Sequence, residues 1–85
     1  MGCIVNTGAT VDHHCDLADG VHLSPGVHIS GNVHIGKSSW LGTGASVRDK
    51  ITIGKNIMVG VGAAVVKDIN EAGVYAGVPA RLQKE

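Results

Sequence analysis

The sequence predicts an all-β protein, a hexapeptide-repeat solenoid wound as a parallel β-helix with three short strands per coil and a short C-terminal cap. Three observations carry that expectation. An aliphatic residue stands at every sixth position from Val5 to Val65 without a miss: Val5, Val11, Leu17, Leu23, Ile29, Ile35, Leu41, Val47, Ile53, Val59 and Val65. Six is neither the helical period nor strict strand alternation, so each hexapeptide is one short strand and one turn. Gly8, Gly26, Gly44 and Gly62 then fall 18 residues apart, the length of three hexapeptides. Finally, Phe is absent and Trp40 and Tyr75 are the only aromatics, so the interior is built from Val, Ile, Leu and Ala, as a narrow solenoid requires.

With the aliphatic residue as position 1, position 5 reads Ala9, Cys15, Val21, Val27, Val33, Ser39, Ala45, Ile51, Ile57, Ala63 and Ile69. These side chains are small or aliphatic and can point inward beside position 1. Position 4 reads Gly8, His14, Gly20, Gly26, Asn32, Ser38, Gly44, Lys50, Asn56, Gly62 and Asp68. Gly, Asn, Asp and His tolerate positive φ, so this column marks the corner of each turn. The β-helix is expected over residues 1–69. Residues 70–85 are expected to hold a turn (Asn70 to Gly73), a short apolar strand (Val74 to Val78) and a polar tail that caps or frays. No comparable cap precedes the first coil, whose strand edges need cover.

At 85 residues the chain is one domain. A solenoid escapes the thin core of a small globule by burying one continuous inner column. Formal net charge is zero and there is no basic run, which argues against nucleic acid as a partner. Cys3 and Cys15 form no CxxC or zinc spacing and read as reduced thiols of a cytoplasmic protein. No signal peptide and no apolar stretch of membrane-spanning length is visible.

Several segments carry a family likeness. Asn6 to Cys15 (NTGATVDHHC), Val21 to Gly26 (VHLSPG) and Gly31 to Gly36 (GNVHIG) resemble the sialic acid and UDP-amino-sugar O/N-acetyltransferases of the hexapeptide-repeat family. The ending Gly73 to Arg81 (GVYAGVPAR) is similar to the terminal motif of hexapeptide acyltransferases broadly. The resemblance implies a left-handed β-helix, a homotrimer, and acetyl-CoA held between neighbouring β-helices. It implies that His13 is the general base, that His22 lies near the acetyl group, and that Asn6 is an active-site polar residue. Backbone groups around Gly31, Thr43 and Val61 match the acetyl-CoA groove. Two positions depart from the pattern. The residue after the base is usually acidic and here is His14. Family members also usually carry an N-terminal domain that holds a sugar nucleotide, which this sequence lacks.

Acetyl transfer from a thioester needs a base for the incoming amine or hydroxyl and donors for the developing oxyanion. Histidine suits the first role at neutral pH. His13 and His14 are candidate catalytic residues, with Asp12 or Asp16 able to stand in for the missing acidic neighbour; the alternative is a pair of solvated turn residues. His22, Trp40 and Met58 fall 18 apart in one outward column. That stripe reads as a subunit interface, as the wall of an acyl-pantetheine groove, or as packing under the C-terminal tail. His28 and His34 read as exposed or interface histidines. No histidine pair has the spacing of a β-helical carbonic anhydrase, so no metal is expected, and elemental analysis would exclude a zinc hydratase. Lys67 and Arg81 are either CoA-phosphate contacts or surface charges. No Walker motif or nucleophile elbow is present, which leaves direct transfer. The reading is an acetyl-CoA-dependent acetyltransferase acting on an amine or hydroxyl of a small acceptor, a sugar or sugar nucleotide. The alternative is a noncatalytic trimeric scaffold or binding module derived from such an enzyme.

Overall fold

The computed structural model describes residues 3–12 and 14–83. Its regular structure is a series of very short strands, with no helix among the described residues: β1 (Ile4–Val5), β2 (Thr10–Val11), β3 (Asp16–Leu17), β4 (His22–Leu23), β5 (His28–Ile29), β6 (His34–Ile35), β7 (Trp40–Leu41), β8 (Ser46–Val47), β9 (Thr52–Ile53), β10 (Ile57–Val59), β11 (Ala64–Val65), β12 (Gly73–Ala76) and β13 (Arg81–Leu82). They stack in three sheets, ordered β1-β4-β7-β10-β12-β13, β11-β8-β5-β2 and β3-β6-β9. From β1 to β11 pairing is parallel and each partner lies 18 residues on, as in Ile4 with His22, Thr10 with His28 and Asp16 with His34. The result is a three-sided parallel β-solenoid measuring 33 × 20 × 20 Å.

The corners follow the position-4 column. Every residue in it from Gly8 to Gly62 has φ between 57 and 75°, including His14, Asn32, Ser38, Lys50 and Asn56. That left-handed conformation costs an ordinary side chain roughly 1–2 kcal/mol, so the repeat geometry imposes it at Ser38 and Lys50 against their local preference.

Positions 1 and 5 build the core. From Val21 onward both columns are buried, through Leu23, Val27, Ile29, Val33, Ile35, Leu41, Val47, Ile53, Val59 and Val65. Where position 5 is polar, its side chain reaches the backbone of the next coil. The Ser39 hydroxyl donates to the Gly54 carbonyl at 2.7 Å and accepts from the Ile57 N–H at 3.1 Å. The Cys15 thiol donates to the Ser30 carbonyl at 3.0 Å and the Cys3 thiol to the Ala18 carbonyl at 3.1 Å.

The repeat changes register after Val65. Ile69 bridges Ile53, and Val74 and Tyr75 pair with Met58 and Val59, all 16 residues away rather than 18. Ile69 therefore takes a position-1 place, not the position-5 place its spacing suggests, and Asp68 is not among the positive-φ corners. The shortened turn loses a backbone acceptor. In the regular coil the His34 N–H donates to the Ile51 carbonyl at 3.0 Å; at the equivalent rung Thr52 N–H donates to the Asp68 carboxylate at 2.8 Å.

The two ends differ. At the C-terminal end β13 folds back antiparallel on β12, pairing Leu82 with Tyr75, and Ala80 and Leu82 pack on the core. The apolar strand is Gly73–Ala76, two residues short of the expected Val78, and the tail caps rather than frays through Leu82. At the other end β1, β2 and β3 are each paired on one side only, and Val5 is half exposed. Among the described residues no helix is long and apolar enough to cross a membrane.

Candidate functional site

The three outward faces differ in chemistry. The first sheet presents Ile4, His22, Trp40, Met58 and Val74 in one register column. All but His22 are large apolar side chains 40–51% exposed. The second sheet presents Thr10, His28 and Ser46, and the third Asp16, His34 and Thr52. One face is thus an apolar stripe and two are polar. Apolar side chains gathered in one exposed column are uncommon on a monomeric protein surface. On the third face the His34 Nδ1 lies 3.6 Å from the Asp16 carboxylate, both well exposed, a pair of little energetic weight.

His22 is held by two side-chain contacts, one to Asn6 and one to Trp40. Its Nε2 lies 3.1 Å from the Asn6 amide nitrogen, which also donates to the Leu23 carbonyl at 3.2 Å. Trp40, its register partner one coil on, meets the imidazole edge-on with centroids 5.6 Å apart and planes at 76°. The sequence placed Asn6 and His22 in one site through resemblance; the geometry joins them directly. The link is a diagonal one between a turn residue and a strand residue of the next coil, so no column search finds it.

An open cleft of about 330 Å³ lies over the second face, lined by Thr10, Val11, Asp12, His28, Ile29 and Ser30. The Thr10 hydroxyl and the His28 Nδ1 are 2.8 Å apart within it. His28, expected as an exposed or interface histidine, is exposed and also lines this cleft. Thr10 and Ser30 were missed. The stacking of Thr10 on His28 is legible as an 18-residue offset, whereas Ser30 carries no sequence signal of its own.

The remaining candidates fall on two different edges of the prism. Thr43 and Val61 sit with Asn6 on the edge between the first and second sheets, Val61 strongly exposed. His14 and Gly31 sit on the edge between the second and third sheets, His14 exposed with φ 61°. His13 lies outside the described residues. One chain therefore does not bring Gly31 together with Thr43 and Val61; the second sheet separates them. Lys67 and Arg81 are exposed, the first beyond β11 and the second in β13. Among the described residues no three His, Cys, Asp or Glu side chains converge on a metal position.

No protein-family model matches the chain. Solved structures do. The acetyltransferase domain of PglB from Neisseria gonorrhoeae, in complex with acetyl coenzyme A, is 50% identical over 96% of this chain with a TM-score of 0.94. A histidine-to-asparagine variant of perosamine N-acetyltransferase from Caulobacter crescentus, in complex with CoA and GDP-perosamine, is 40% identical over 98% with a TM-score of 0.95. A maltose O-acetyltransferase from Clostridium difficile is 32% identical over 84% with a TM-score of 0.77. This chain spans 40% of the length of each of the first two and 48% of the third. Its repeat, its three-sheet register and these identities agree: the chain is a β-helix domain of the hexapeptide-repeat acetyltransferase family.

Proposed function

We propose that this domain binds acetyl-CoA and transfers the acetyl group to the amine of a nucleotide-linked sugar, in sites completed between copies of the chain. The observation that carries the reading is its 50% identity, over nearly its whole length, to an acetyltransferase domain solved with acetyl coenzyme A. The acceptor class follows the perosamine N-acetyltransferase, a 40% identical relative solved with GDP-perosamine. The two free cysteines, Cys3 and Cys15, favour a reducing, cytoplasmic setting.

Two features of this chain support a shared site. The candidate groove residues Thr43 and Val61 occupy one edge, Gly31 and the His14 corner another. A second copy that sets one edge against the other reunites them. The apolar stripe of the first face supplies a reason to associate, and a homotrimer uses each chain's two edges equally. In the proposed reaction the acceptor nitrogen attacks the thioester carbonyl carbon, the C–S bond breaks, and CoA leaves as its thiol. His13 accepts the proton released by the amine and returns it to the departing sulfur, and the backbone near Gly31 donates to the carbonyl oxygen as it gains charge.

His13→Ala tests the reading. It should abolish transfer while acetyl-CoA binding and oligomeric state persist; an unchanged rate removes His13 from the mechanism. One observation favours the alternative, a noncatalytic scaffold: His14 stands where the family usually places an acidic residue beside the base. On that alternative acetyl-CoA is not consumed with any nucleotide-linked amino sugar.

A further inference from the structure

We infer that Asn6 and Trp40 are positioning residues that hold the His22 imidazole in the tautomer protonated on Nδ1, so that His22 serves as a hydrogen-bond donor and not as a second base. The inference rests on the acetyltransferase reading above for its use in catalysis, but not for the tautomer itself.

Leu23 sets the orientation of the Asn6 amide. The Asn6 amide nitrogen lies 3.2 Å from the Leu23 carbonyl oxygen. Turning the amide over would set two acceptor oxygens against each other, so Leu23 fixes which amide atom is nitrogen. That nitrogen has two hydrogens and no acceptor capacity. Its second contact, 3.1 Å away, is the His22 Nε2. Nε2 must then accept, and the ring proton resides on Nδ1. This reverses the ordinary preference of free histidine for a proton on Nε2.

Trp40 fixes the other degree of freedom. An imidazole hinged on one hydrogen bond can still swing about χ2. The edge-on indole at 5.6 Å and 76° closes that motion, in a geometry that aromatic pairs favour. Trp40 is in turn flanked by Met58 in the same column. Nδ1 has no hydrogen-bond partner among the described residues, and the ring is only partly exposed. A pre-oriented N–H of this kind matches the carbonyl oxygen of an acyl thioester as it acquires negative charge, because such a donor need not reorganise during reaction. A base in the same place would need a free lone pair, and the one on Nε2 is already engaged by Asn6.

The test is nitrogen NMR of the histidine rings in uniformly labelled protein, with acetyl-CoA turnover measured on a panel of nucleotide-linked amino sugars that includes GDP-perosamine. Wild type should show His22 with a protonated Nδ1 and an unprotonated Nε2. Asn6→Ala should move the proton to Nε2 or give an averaged ring. Trp40→Ala should give averaging, and Trp40→Phe should restore a single Nδ1–H tautomer. In turnover, Asn6→Ala and Trp40→Ala should lower kcat about a hundredfold, the scale of losing one oxyanion donor, with the KM for acetyl-CoA unchanged. A wild-type His22 protonated on Nε2 overturns the inference, as does an Asn6→Ala variant that keeps the wild-type tautomer. The expected tautomers in a protein that turns over none of the panel would overturn the catalytic reading while leaving the positioning geometry standing.

Discussion

Replacing Ser39 by Ala removes one hydroxyl from the middle of the solenoid. That hydroxyl is fully buried and serves two backbone groups, donating to the Gly54 carbonyl at 2.7 Å and accepting from the Ile57 N–H at 3.1 Å. Leaving a buried polar group unsatisfied costs about 1–3 kcal/mol. Two orphaned groups without relaxation would therefore cost roughly 4 kcal/mol. Relaxation is available, however. At equivalent corners the same two positions bond directly, Ala45 N–H to Gly42 carbonyl at 3.0 Å and Ala63 N–H to Gly60 carbonyl at 3.2 Å. If the corner after Ile53 closes that way, both groups recover a partner and a small void remains. We expect a net loss of about 2 kcal/mol, between those limits. For a domain of this size that lowers Tm by roughly 8–16 °C. Urea and thermal unfolding by circular dichroism, at one fixed protein concentration, read it out. Ser39→Cys should lose less than half as much, since Cys15 makes the same kind of contact from position 5 at 3.0 Å. A Ser39→Ala variant within about 0.5 kcal/mol of wild type would refute the reasoning, because that is the range of an exposed substitution.

Other perturbations follow from the same geometry. A Cβ at Gly36 would meet the Gly54 carbonyl carbon at 2.5 Å, whereas one at Gly62 meets nothing within 4 Å. Gly36→Ala should therefore cost about 3 kcal/mol by overpacking, and Gly62→Ala only the roughly 1–2 kcal/mol of its positive φ, as measured by denaturant unfolding. Asp68→Ala should destabilise by about 1–2 kcal/mol, because the Thr52 N–H loses the acceptor that replaces a missing carbonyl; Asp68→Asn should keep most of that stability. Burial first, and the Glu71 charge second, raise the Tyr75 phenol above its ordinary value of 10.0. The folded state thus holds that proton more tightly than the unfolded one. Its contribution to stability is complete below pH 10 and falls as pH rises through the folded pKa. Tyr75 is the only tyrosine, so phenolate absorbance should titrate as a single step shifted to higher pH than in the unfolded chain.

The fold was legible because a solenoid writes its geometry into one short period. The inward columns, the corner column and the 18-residue register are all arithmetic on residue number, and the structure follows that arithmetic from Val5 to Val65. The register change after Val65 was not legible. Ile69 is aliphatic, so it satisfies position 5 of a regular coil as readily as position 1 of a shortened one. The choice depends on Asp68 supplying a side-chain acceptor, and an aspartate at a corner looks the same either way. The contact of Ser39 with the next coil was hidden for a related reason, since position 5 asks only for a small residue. Of the candidate site, Gly31, Thr43 and Val61 already betray their separate edges by their offsets from one another. The pairing of Asn6 with His22 needed coordinates, because it runs diagonally between columns.

The most direct test of the central claim is calorimetric titration of the assembled protein with acetyl-CoA, beside CoA and ATP. A saturable, stoichiometric response per chain to acetyl-CoA and CoA but not ATP, retained in His13→Ala and lost when Val74→Glu, on the exposed stripe away from His22, separates the copies, is the predicted result. No saturable response at millimolar acetyl-CoA, or an undiminished one in the separated chain, would contradict a donor site completed between copies of this β-helix.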